Sequence, residues 1–332
     1  MKSRRDAILE GAKAAAKLHR QLDLRRLTEA QGSNVNVFGS IVKERIPLLF
    51  RPLDGLLGAF LPGPAPGIIV TTQRPLSVQR FTGAHELGHA EMRHEASLDD
   101  EQMLTRSESP SWDYDSREVS ANSFATNFLL PKWLLISHAA RHKWSRRDLT
   151  DPTVVYQLSL RSGASYLATA LALMRHDLID DSTFGRLRNV EVKQLKQALL
   201  EGYQLENWYP DVWLLSEADE GTVIEGDSRD AFIVRLKENS GAGYLWEVDD
   251  LKNAGFLLFR DDRNIPNPED DIGGEVERVL GARAGDSRVG RINLEQTRPW
   301  EPEVPLSRLS FTFDLRGKES GRPRAERRMV AA

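Results

Sequence analysis

The chain has 332 residues, and its 45 Lys and Arg against 49 Asp and Glu give a formal charge of −4. This near-neutral balance excludes a basic nucleic-acid coat and an acidic tail protein, so partners must be inferred from sites and not from bulk charge. The chain has no cysteine, which excludes disulfides, a thiolate nucleophile and Cys-ligated zinc. A metal would therefore be held by His and carboxylate side chains.

The amino terminus predicts no secretory signal, because its basic residues precede an Ala-rich helical pattern instead of an apolar core. The most apolar region, residues 55–70, is interrupted by Pro62, Pro64 and Pro66, which a membrane helix tolerates poorly. We therefore expect a cytoplasmic protein that does not interact with a membrane.

The first third of the chain predicts helices and strands together. Apolar residues at helical spacing predict an amphipathic helix from Arg5 to about Leu27. A further helix is predicted from an N-cap at about Ser77 to His94. Between them, short apolar runs punctuated by Gly and Pro predict a small antiparallel sheet of three strands: Leu48–Phe50, Leu56–Leu61 and Gly67–Thr72.

The rest of the chain changes from helical to β-type patterns. A helix is predicted over Arg117–Leu130, ended by Pro131, and several helices over 132–202. Composition shifts over Asn207–Asp230, where we place a domain boundary. An all-β sandwich is predicted after it, from runs at Phe232–Leu236, Tyr244–Val248, Phe256–Phe259, Arg288–Leu294 and Leu306–Leu315.

His85-Glu86-Leu87-Gly88-His89 is an HExxH motif inside a predicted helix. The four-residue separation puts both imidazoles on one helix face, where they can bind one zinc ion. Glu86 would then lie beside the metal and could take a proton from water and pass it to a leaving amine. The alternative is an ordinary helix with surface histidines.

A zinc hydrolase needs a third protein ligand. The metzincin pattern is excluded, because Met92 and Glu95 stand where it needs Gly and His. Glu118 is the favoured carboxylate, since it shares a helix face with Asn122 and with alanines that permit close approach. Asn122 could contact a ligand from behind. The carboxylates considered are Glu95, Glu101, Asp115 and Glu118.

Two strings of residues resemble the ImmA/IrrE family of metallo-endopeptidases, over roughly residues 1–190. They are RFTGAHELGH at 80–89 and EVSANSFA at 118–125, followed by LLP at 129–131. The one departure is Phe128, where the family has Leu. The resemblance implies a zincin-like α+β domain of the gluzincin type, with Zn²⁺ on His85, His89 and Glu118 and with Glu86 as catalytic base. Family members typically cleave a helix-turn-helix repressor, which derepresses mobile-element or DNA-damage genes.

Other polar residues near the motif have open roles. His94 stands where such proteins often have His, and it is either a neighbour of the ligands or a helix-end surface histidine. Tyr156, Tyr166 and His138 are available as oxyanion donors, but packing is the favoured role for each.

Residues 153–175 have the pattern of a helix-turn-helix. Its second helix offers no Arg, Lys, Asn or Gln before Arg175 to read base edges. We therefore expect packing or substrate docking here, and no direct contact with nucleic acid.

Three loops of the predicted sandwich carry glycines and aromatic residues, at 239–246 (NSGAGYLW), 273–274 (GG) and 298–301 (RPWE). Alternate loops of a sandwich cluster at one end, so they could form one binding surface. The alternative is that Trp246 and Trp300 are core residues.

These loops resemble those of the chagasin-type inhibitors of papain-like cysteine peptidases, over about 223–316. Ser240, Gly241 and Ala242 replace the family's Pro-Thr-Thr, which removes an expected hydroxyl. The resemblance implies an immunoglobulin-like sandwich that grips a protein partner, such as the substrate or an associated peptidase. Its partner-binding residues would be Gly243, Tyr244, Trp246, Gly273, Gly274, Arg298, Pro299 and Trp300.

The sequence thus predicts a zincin-like α+β metallopeptidase domain with a helical extension (1–205), a linker (206–222), a chagasin-like all-β sandwich (223–316) and a disordered tail (317–332). The expected function is zinc-dependent, site-specific cleavage of a helix-turn-helix repressor in stress or mobile-element regulation, with the sandwich recruiting or restraining a protein partner. The alternative is a non-catalytic binding module or cysteine-peptidase inhibitor that acts through the sandwich loops.

Overall fold

The computed structural model describes residues 3–95, 97–100 (backbone only), 115–264, 276–286 and 288–326. Glu101, Gly273 and Gly274, which the sequence singled out, lie outside the described residues. In the described part of the chain, no helix is both long enough and apolar enough to cross a membrane.

The chain opens with two helices, α1 (Arg4–Gln21) and α2 (Leu24–Gln31), where the sequence predicted one. The break occurs at Asp23, whose φ of 50° is left-handed and cannot continue a helix. Two apolar residues of α1, Ile8 and Leu9, do not belong to its buried face, because each is 45% exposed. Its buried residues are Ala7, Gly11, Ala15, Leu18 and His19.

A four-stranded sheet follows the short helix α3 (Val37–Lys43), with the strand order β1-β3-β2-β4. Strands β2 and β3 form an antiparallel hairpin, and β4 pairs antiparallel with β2. Strand β1 is parallel to β3, so the prediction of an all-antiparallel sheet is wrong for β1. The reason is that β3, the second strand of the hairpin, lies between β2 and β1 in the sheet and runs in the same direction as β1. The strands are β1 (Leu48–Arg51), β2 (Leu56–Leu61), β3 (Gly67–Thr71) and β4 (Ser97–Asp100).

Two helices stacked on one side of this sheet carry the predicted metal ligands. Helix α4 (Leu76–Glu91) lies on β2 and β3, helix α5 (Ser116–Leu129) packs on α4, and α1 packs on α5. A Cβ on Gly88 would lie only 3.0 Å from the Phe124 ring, so a glycine lets α5 approach α4 closely. Helix α4 has Pro75 as its N-cap, two residues before the predicted N-cap Ser77, and it ends at Glu91 rather than at His94.

The predicted helical region 132–202 contains five helices among the described residues, and their bounds agree with the several helices expected there. Their buried side chains belong to the same apolar core as those of the first sheet and of α1, α4 and α5. This helical and sheet part of the chain is called the first unit below. The five helices are α6 (Lys132–Arg141), α7 (Pro152–Ser162), α8 (Tyr166–Arg175), α9 (Asp181–Leu187) and α10 (Val192–Leu200).

The last third is a sandwich of two four-stranded sheets, with orders β5-β7-β10-β9 and β6-β12-β11-β8. A separate apolar core, which includes Trp213, Trp246 and Phe313, fills the space between them. A short helix, α11 (Asp249–Asn253), leads into β9. The strands are β5 (Val212–Leu215), β6 (Val223–Glu225), β7 (Ala231–Glu238), β8 (Leu245–Glu247), β9 (Phe256–Asn264), β10 (Val276–Ala284), β11 (Val289–Thr297) and β12 (Ser307–Asp314).

The segments predicted as linker and tail are structured where they are described. Strand β5 lies in the predicted linker and pairs with β7, because Val212–Leu215 is a short apolar run that completes the sheet edge. Residues 317–326 are not a free tail, since Glu319 is buried and the backbone of Gly321 exchanges two hydrogen bonds with Phe50 of β1. Both segments therefore join the sandwich to the first unit.

Candidate metal centre

The two histidines of the HExxH motif lie on the inner face of α4. His85 and His89 are buried, at 0% and 1% exposure, and their Nε2 atoms lie 2.9 Å apart. The four-residue spacing explains this, because residues i and i+4 stand one above the other on a helix. The local prediction of two imidazoles on one face is confirmed in its geometry.

Glu118 reaches the same point from the first turn of α5. Its Oε2 lies 3.2 Å from His85 Nε2 and its Oε1 lies 3.6 Å from His89 Nε2. Burial raises the pKa of Glu118, but hydrogen bonds from the two histidines lower it more, so that its net pKa lies well below its usual range. The carboxylate is therefore ionised and faces two imidazole nitrogens.

These three side chains fit a metal ion. In the described part of the chain they are the one group of three or more His, Cys, Asp or Glu side chains whose ligand atoms all lie within 4.8 Å of one another. Ligands about 2.0–2.1 Å from a tetrahedral zinc ion are separated by about 3.3 Å, and the three distances above scatter around that value. Two neutral imidazoles and one carboxylate are also an established donor set for zinc with an open fourth position.

Two neighbours fix which imidazole nitrogen faces the centre. Asn122, one turn along α5 from Glu118, places its Oδ1 3.1 Å from His85 Nδ1. His94 places its Nδ1 3.0 Å from His89 Nδ1. Both Nδ1 atoms are thus engaged from behind, which leaves each Nε2 for a metal, as outer partners of ligating histidines commonly do.

His94 is brought back to His89 by the end of helix α4. Arg93 has a left-handed φ of 57°, and the His94 N–H donates to the His89 carbonyl at 2.9 Å. This is the hydrogen-bond pattern of a Schellman helix end, which reverses the chain over the last turn. Burial lowers the pKa of His94 to about 4, so the ring is neutral near pH 7.

Glu86 is fully buried and points toward the sheet. There it meets Gly58, a residue that the sequence patterns did not single out. A Cβ on Gly58 of β2 would lie 2.5 Å from Thr82 Cγ2 and 3.1 Å from Glu86 Oε1. A glycine is therefore what lets the Glu86 carboxylate lie against β2. The signal for Gly58 was present in the sequence, because an isolated glycine within a strand pattern marks a close approach of backbone or ligand.

Several other residues considered from sequence lie away from this centre. The Tyr156 hydroxyl donates to Asp211 at 2.9 Å. The Tyr166 hydroxyl donates to the Leu187 carbonyl at 3.1 Å. His138 is buried on α6 beside Arg161. The structure thus places these three in helix packing. Glu95 is 92% exposed, and Asp115 caps α5 by accepting from the Arg117 N–H.

The helix-turn-helix pattern forms α7 and α8, but its turn is buried against the first unit. Gly163, with φ of +67°, packs directly on the guanidinium of Arg80, and a Cβ there would lie 2.7 Å from Arg80 Nη1. Only a glycine fits this left-handed and crowded position. On α8, Tyr166, Thr169 and Ala170 are buried in the helical core, which agrees with the packing role predicted for this segment.

Two of the predicted sandwich loops meet at one end. Trp300 is 71% exposed, and its ring lies over Gly243, where a Cβ would come within 2.4 Å of it. Arg298 stacks on the Tyr244 ring at 4.4 Å and donates to the Ala242 carbonyl at 3.2 Å. The loops are thereby held as one surface. Pro299 next to them is exposed.

Trp246 does not belong to that surface. It is 3% exposed, packs in the sandwich core and donates from Nε1 to the Lys237 carbonyl at 2.8 Å. The prediction of Trp246 as a partner-binding residue is therefore wrong. Alternation along β8 (Leu245–Glu247) explains this, because Trp246 turns toward the core while the next residue, Glu247, is exposed. Trp300 instead lies on a loop.

Comparison with known families agrees with both halves of this geometry. Residues 45–174 match the IrrE N-terminal-like domain of the M78 peptidases. The first half therefore contains a domain of metallopeptidase type, as the two motif strings predicted. Residues 227–315 match the chagasin family of peptidase inhibitors I42, so the second half contains a domain of chagasin type. Both matches are narrower than the ranges predicted from sequence.

Two solved structures are similar to about a third of the chain. The cysteine protease inhibitor EhICP2 from Entamoeba histolytica is 23% identical and covers 33% of this chain and 100% of its own, with a TM-score of 0.28. Amebosin is 20% identical and covers 32% of this chain and 97% of its own, with a TM-score of 0.25. No curated protein matches the chain.

Proposed function

We propose that the chain is a zinc-dependent endopeptidase of the gluzincin type, with Zn²⁺ held by His85, His89 and Glu118. The observation that carries this proposal is the convergence of three side chains from two helices, with ligand atoms 2.9–3.6 Å apart. The match to an M78 peptidase domain over residues 45–174 supports it independently.

The side chains divide the chemistry among them. A bound zinc ion supplies a Lewis acid that polarises the scissile carbonyl and increases the acidity of water. Glu86 takes a proton from the attacking water on one carboxylate oxygen and delivers it to the nitrogen of the leaving amine. Asn122 and His94 hold the two imidazoles with Nε2 toward the metal.

The proposed substrate is a helix-turn-helix repressor, cleaved at one site in stress or mobile-element regulation. Support comes from the similarity of residues 80–89 and 118–131 to peptidases that act on such repressors. A repressor substrate would also place the activity in the cytoplasm.

The test is cleavage of candidate repressors from the same genome by the purified chain, with zinc, with a chelator, and with the Glu86→Gln variant. Cleavage that is lost with chelator and in Glu86→Gln supports the proposal and names the target. A chain that binds no zinc at stoichiometric protein concentration contradicts it.

We further propose that residues 1–205 form the peptidase unit and 223–316 a sandwich that recruits or restrains a protein partner, with 206–222 between them. The sandwich loops favour a second candidate function, a binding module or cysteine-peptidase inhibitor. The supporting observation is the exposed Trp300 on a rigid base of Gly243, Tyr244 and Arg298, because exposed aromatic anchors often dominate binding energy.

A binding assay with a papain-like cysteine peptidase tests this second candidate. Trp300→Ala should weaken binding by about 2 kcal/mol or more, while Tyr209→Ala, at an 86% exposed aromatic residue outside the loops, should not. Equal effects of the two variants would argue against the loop surface, and absence of binding to any such peptidase would argue against inhibition.

A further inference from the structure

The amino-terminal end of the active-site helix is held by residues that neither family match includes. Helix α4 begins after Pro75 with no side-chain hydrogen bond to its first turn. Its next residues, Gln79 and Arg80, are buried, at 0% and 7% exposure. Their partners, Glu225 and Glu319, lie just before and just after the matched range 227–315.

Arg80 contacts the sandwich through an ion pair. Its Nη2 donates to Oε2 of Glu225, the last residue of β6, and the same oxygen accepts from Asn34 Nδ2 at 2.8 Å. Burial lowers the pKa of Arg80 and the charge of Glu225 raises it again. A buried guanidinium depends on such a carboxylate, because a charge left alone in a protein interior is strongly unfavourable.

Gln79 contacts the carboxy-terminal segment through its side-chain amide. Its Nε2 donates to the carbonyls of Thr71 at 2.9 Å and Glu319 at 3.1 Å, and its Oε1 accepts from the Glu319 N–H at 2.8 Å. Two residues later Gly321 pairs with Phe50 of β1. The segment therefore joins the amino-terminal turns of α4 to the edge of the sheet.

These contacts act on the same rigid element as the metal ligands. His85 follows Gln79 by six residues, or about 9 Å along the axis of a continuous helix. Gly83 and Gly88 pack against Phe38 and Phe124 and fix the helix laterally. The contacts of Gln79 and Arg80 lie at the amino-terminal end of α4. They restrain the position of the helix along its axis and its rotation.

We propose that Glu225 and Glu319 form a latch that positions helix α4, so that the sandwich is a positioning element of the metal centre in the same chain. The proposal rests on the proposed function for its consequence in catalysis. Its structural content, the dependence of α4 and its histidines on the latch, is measurable without any substrate.

The experiment compares full-length wild type with Glu225→Gln, using Co²⁺ as the probe of the centre and hydrogen exchange as the probe of α4. We expect Glu225→Gln to weaken Co²⁺ affinity by roughly 2- to 30-fold, to alter the Co²⁺ absorption spectrum and to speed amide exchange in α4. Glu225→Asp, which keeps the charge, should recover part of the affinity. A merely structural role would lower thermal stability and leave the spectrum unchanged.

Glu295→Gln is the matched control, because Glu295 forms an exposed ion pair with Arg308 at 2.8 Å on the same sandwich. It should match wild type. Where Glu225→Gln does not fold, Gln79→Met interrupts the other contact without leaving a charge unpaired, and the same shifts are expected.

The latch proposal is overturned if the folded latch variants have the same Co²⁺ affinity, the same Co²⁺ spectrum and the same amide exchange in α4 as wild type. If wild type itself binds no Co²⁺, the proposed function fails, and exchange in α4 alone then decides the latch. Faster exchange supports it and unchanged exchange overturns it.

Discussion

Two pairs of histidines four residues apart lie in the helical part of the chain. His85 and His89 lie on α4, and His138 and His142 lie at the end of α6. The first pair encloses Glu86, whereas the second encloses two alanines and an arginine. The spacing is the same, but only the first pair is part of a metal-ligand group among the described residues.

The difference lies in what each pair faces. The first pair faces the carboxylate of Glu118. The second faces the guanidinium of Arg161, whose Nε lies 2.9 Å from His142 Nε2. The Asp219 carboxylate also lies 3.4 Å from His142 Nε2, but it is paired with Arg161 Nη2 at 2.9 Å. A cation in that place repels a metal ion. Helical spacing therefore brings imidazoles together, and the charge of the opposing element decides what they can bind.

The largest effect that sharpens this comparison is expected at Glu86. Glu86→Gln should lower the cleavage rate by about 10²–10⁴-fold, because it removes the proton carrier, and should leave zinc content unchanged. The measurement is the rate of cleavage beside bound zinc per chain. The control is Glu95→Gln, at a 92% exposed carboxylate close in sequence, which should cleave like wild type. Equal activity of Glu86→Gln and wild type would contradict the assigned role.

The next largest effect is expected when the carboxylate beside each histidine pair is removed, because only the first pair should lose zinc affinity. Glu118→Ala should weaken zinc affinity by more than about 100-fold, since even outer partners of ligands account for about 10–100-fold. Asp219→Ala beside the second pair should leave zinc affinity intact and instead destabilise the fold by about 3–5 kcal/mol, because it leaves the buried Arg161 unpaired. Competition with a zinc chelator and urea unfolding measure the two effects. The opposite pattern would mean that the second pair binds the metal.

A smaller change in metal affinity is expected at Asn122. Asn122→Ala should weaken zinc binding by about 10–100-fold, because His85 then loses the contact that orients its ring. Asn127→Ala on the same helix removes an amide that bonds Ser123 instead and serves as the control. Chelator competition on both variants gives the comparison, and equal affinities would show that Asn122 does not orient the ligand.

The smallest effect is a pH dependence of stability from the second pair. Burial and the charge of Arg161 lower the pKa of His142 to about 3, and burial does the same for His138. In the unfolded chain, both histidines bind protons below about pH 6.5, whereas in the folded chain they stay neutral until the pH approaches 3. Their contribution is therefore intact above pH 6.5 and is lost as the pH falls toward 3.

The His142→Phe variant, which keeps a ring to stack on Trp144, isolates this effect. Its urea unfolding midpoint should fall less between pH 7 and pH 5 than that of wild type. An identical pH slope in the two chains would show that the pair does not titrate in this way.

The sequence by itself determined what depends on neighbours within a few residues. The HExxH spacing placed His85 and His89 on one helix face, because the helical period is local and fixed. Composition and short apolar runs of strand length separated the helical half from the sandwich, because these patterns also depend only on residues close in sequence. The two motif strings also selected Glu118, although the spacing alone left four carboxylates open.

Only the tertiary structure decided what depends on residues far apart in the chain. Packing placed Trp246 in the core and Trp300 on the surface, set Gly58 against Glu86, and brought Glu225 to Arg80. The parallel pairing of β1 also arose there, since the order of strands in a sheet is not written in their individual patterns. Such contacts depend on how whole elements pack and on which charge faces which, and no local period encodes that choice.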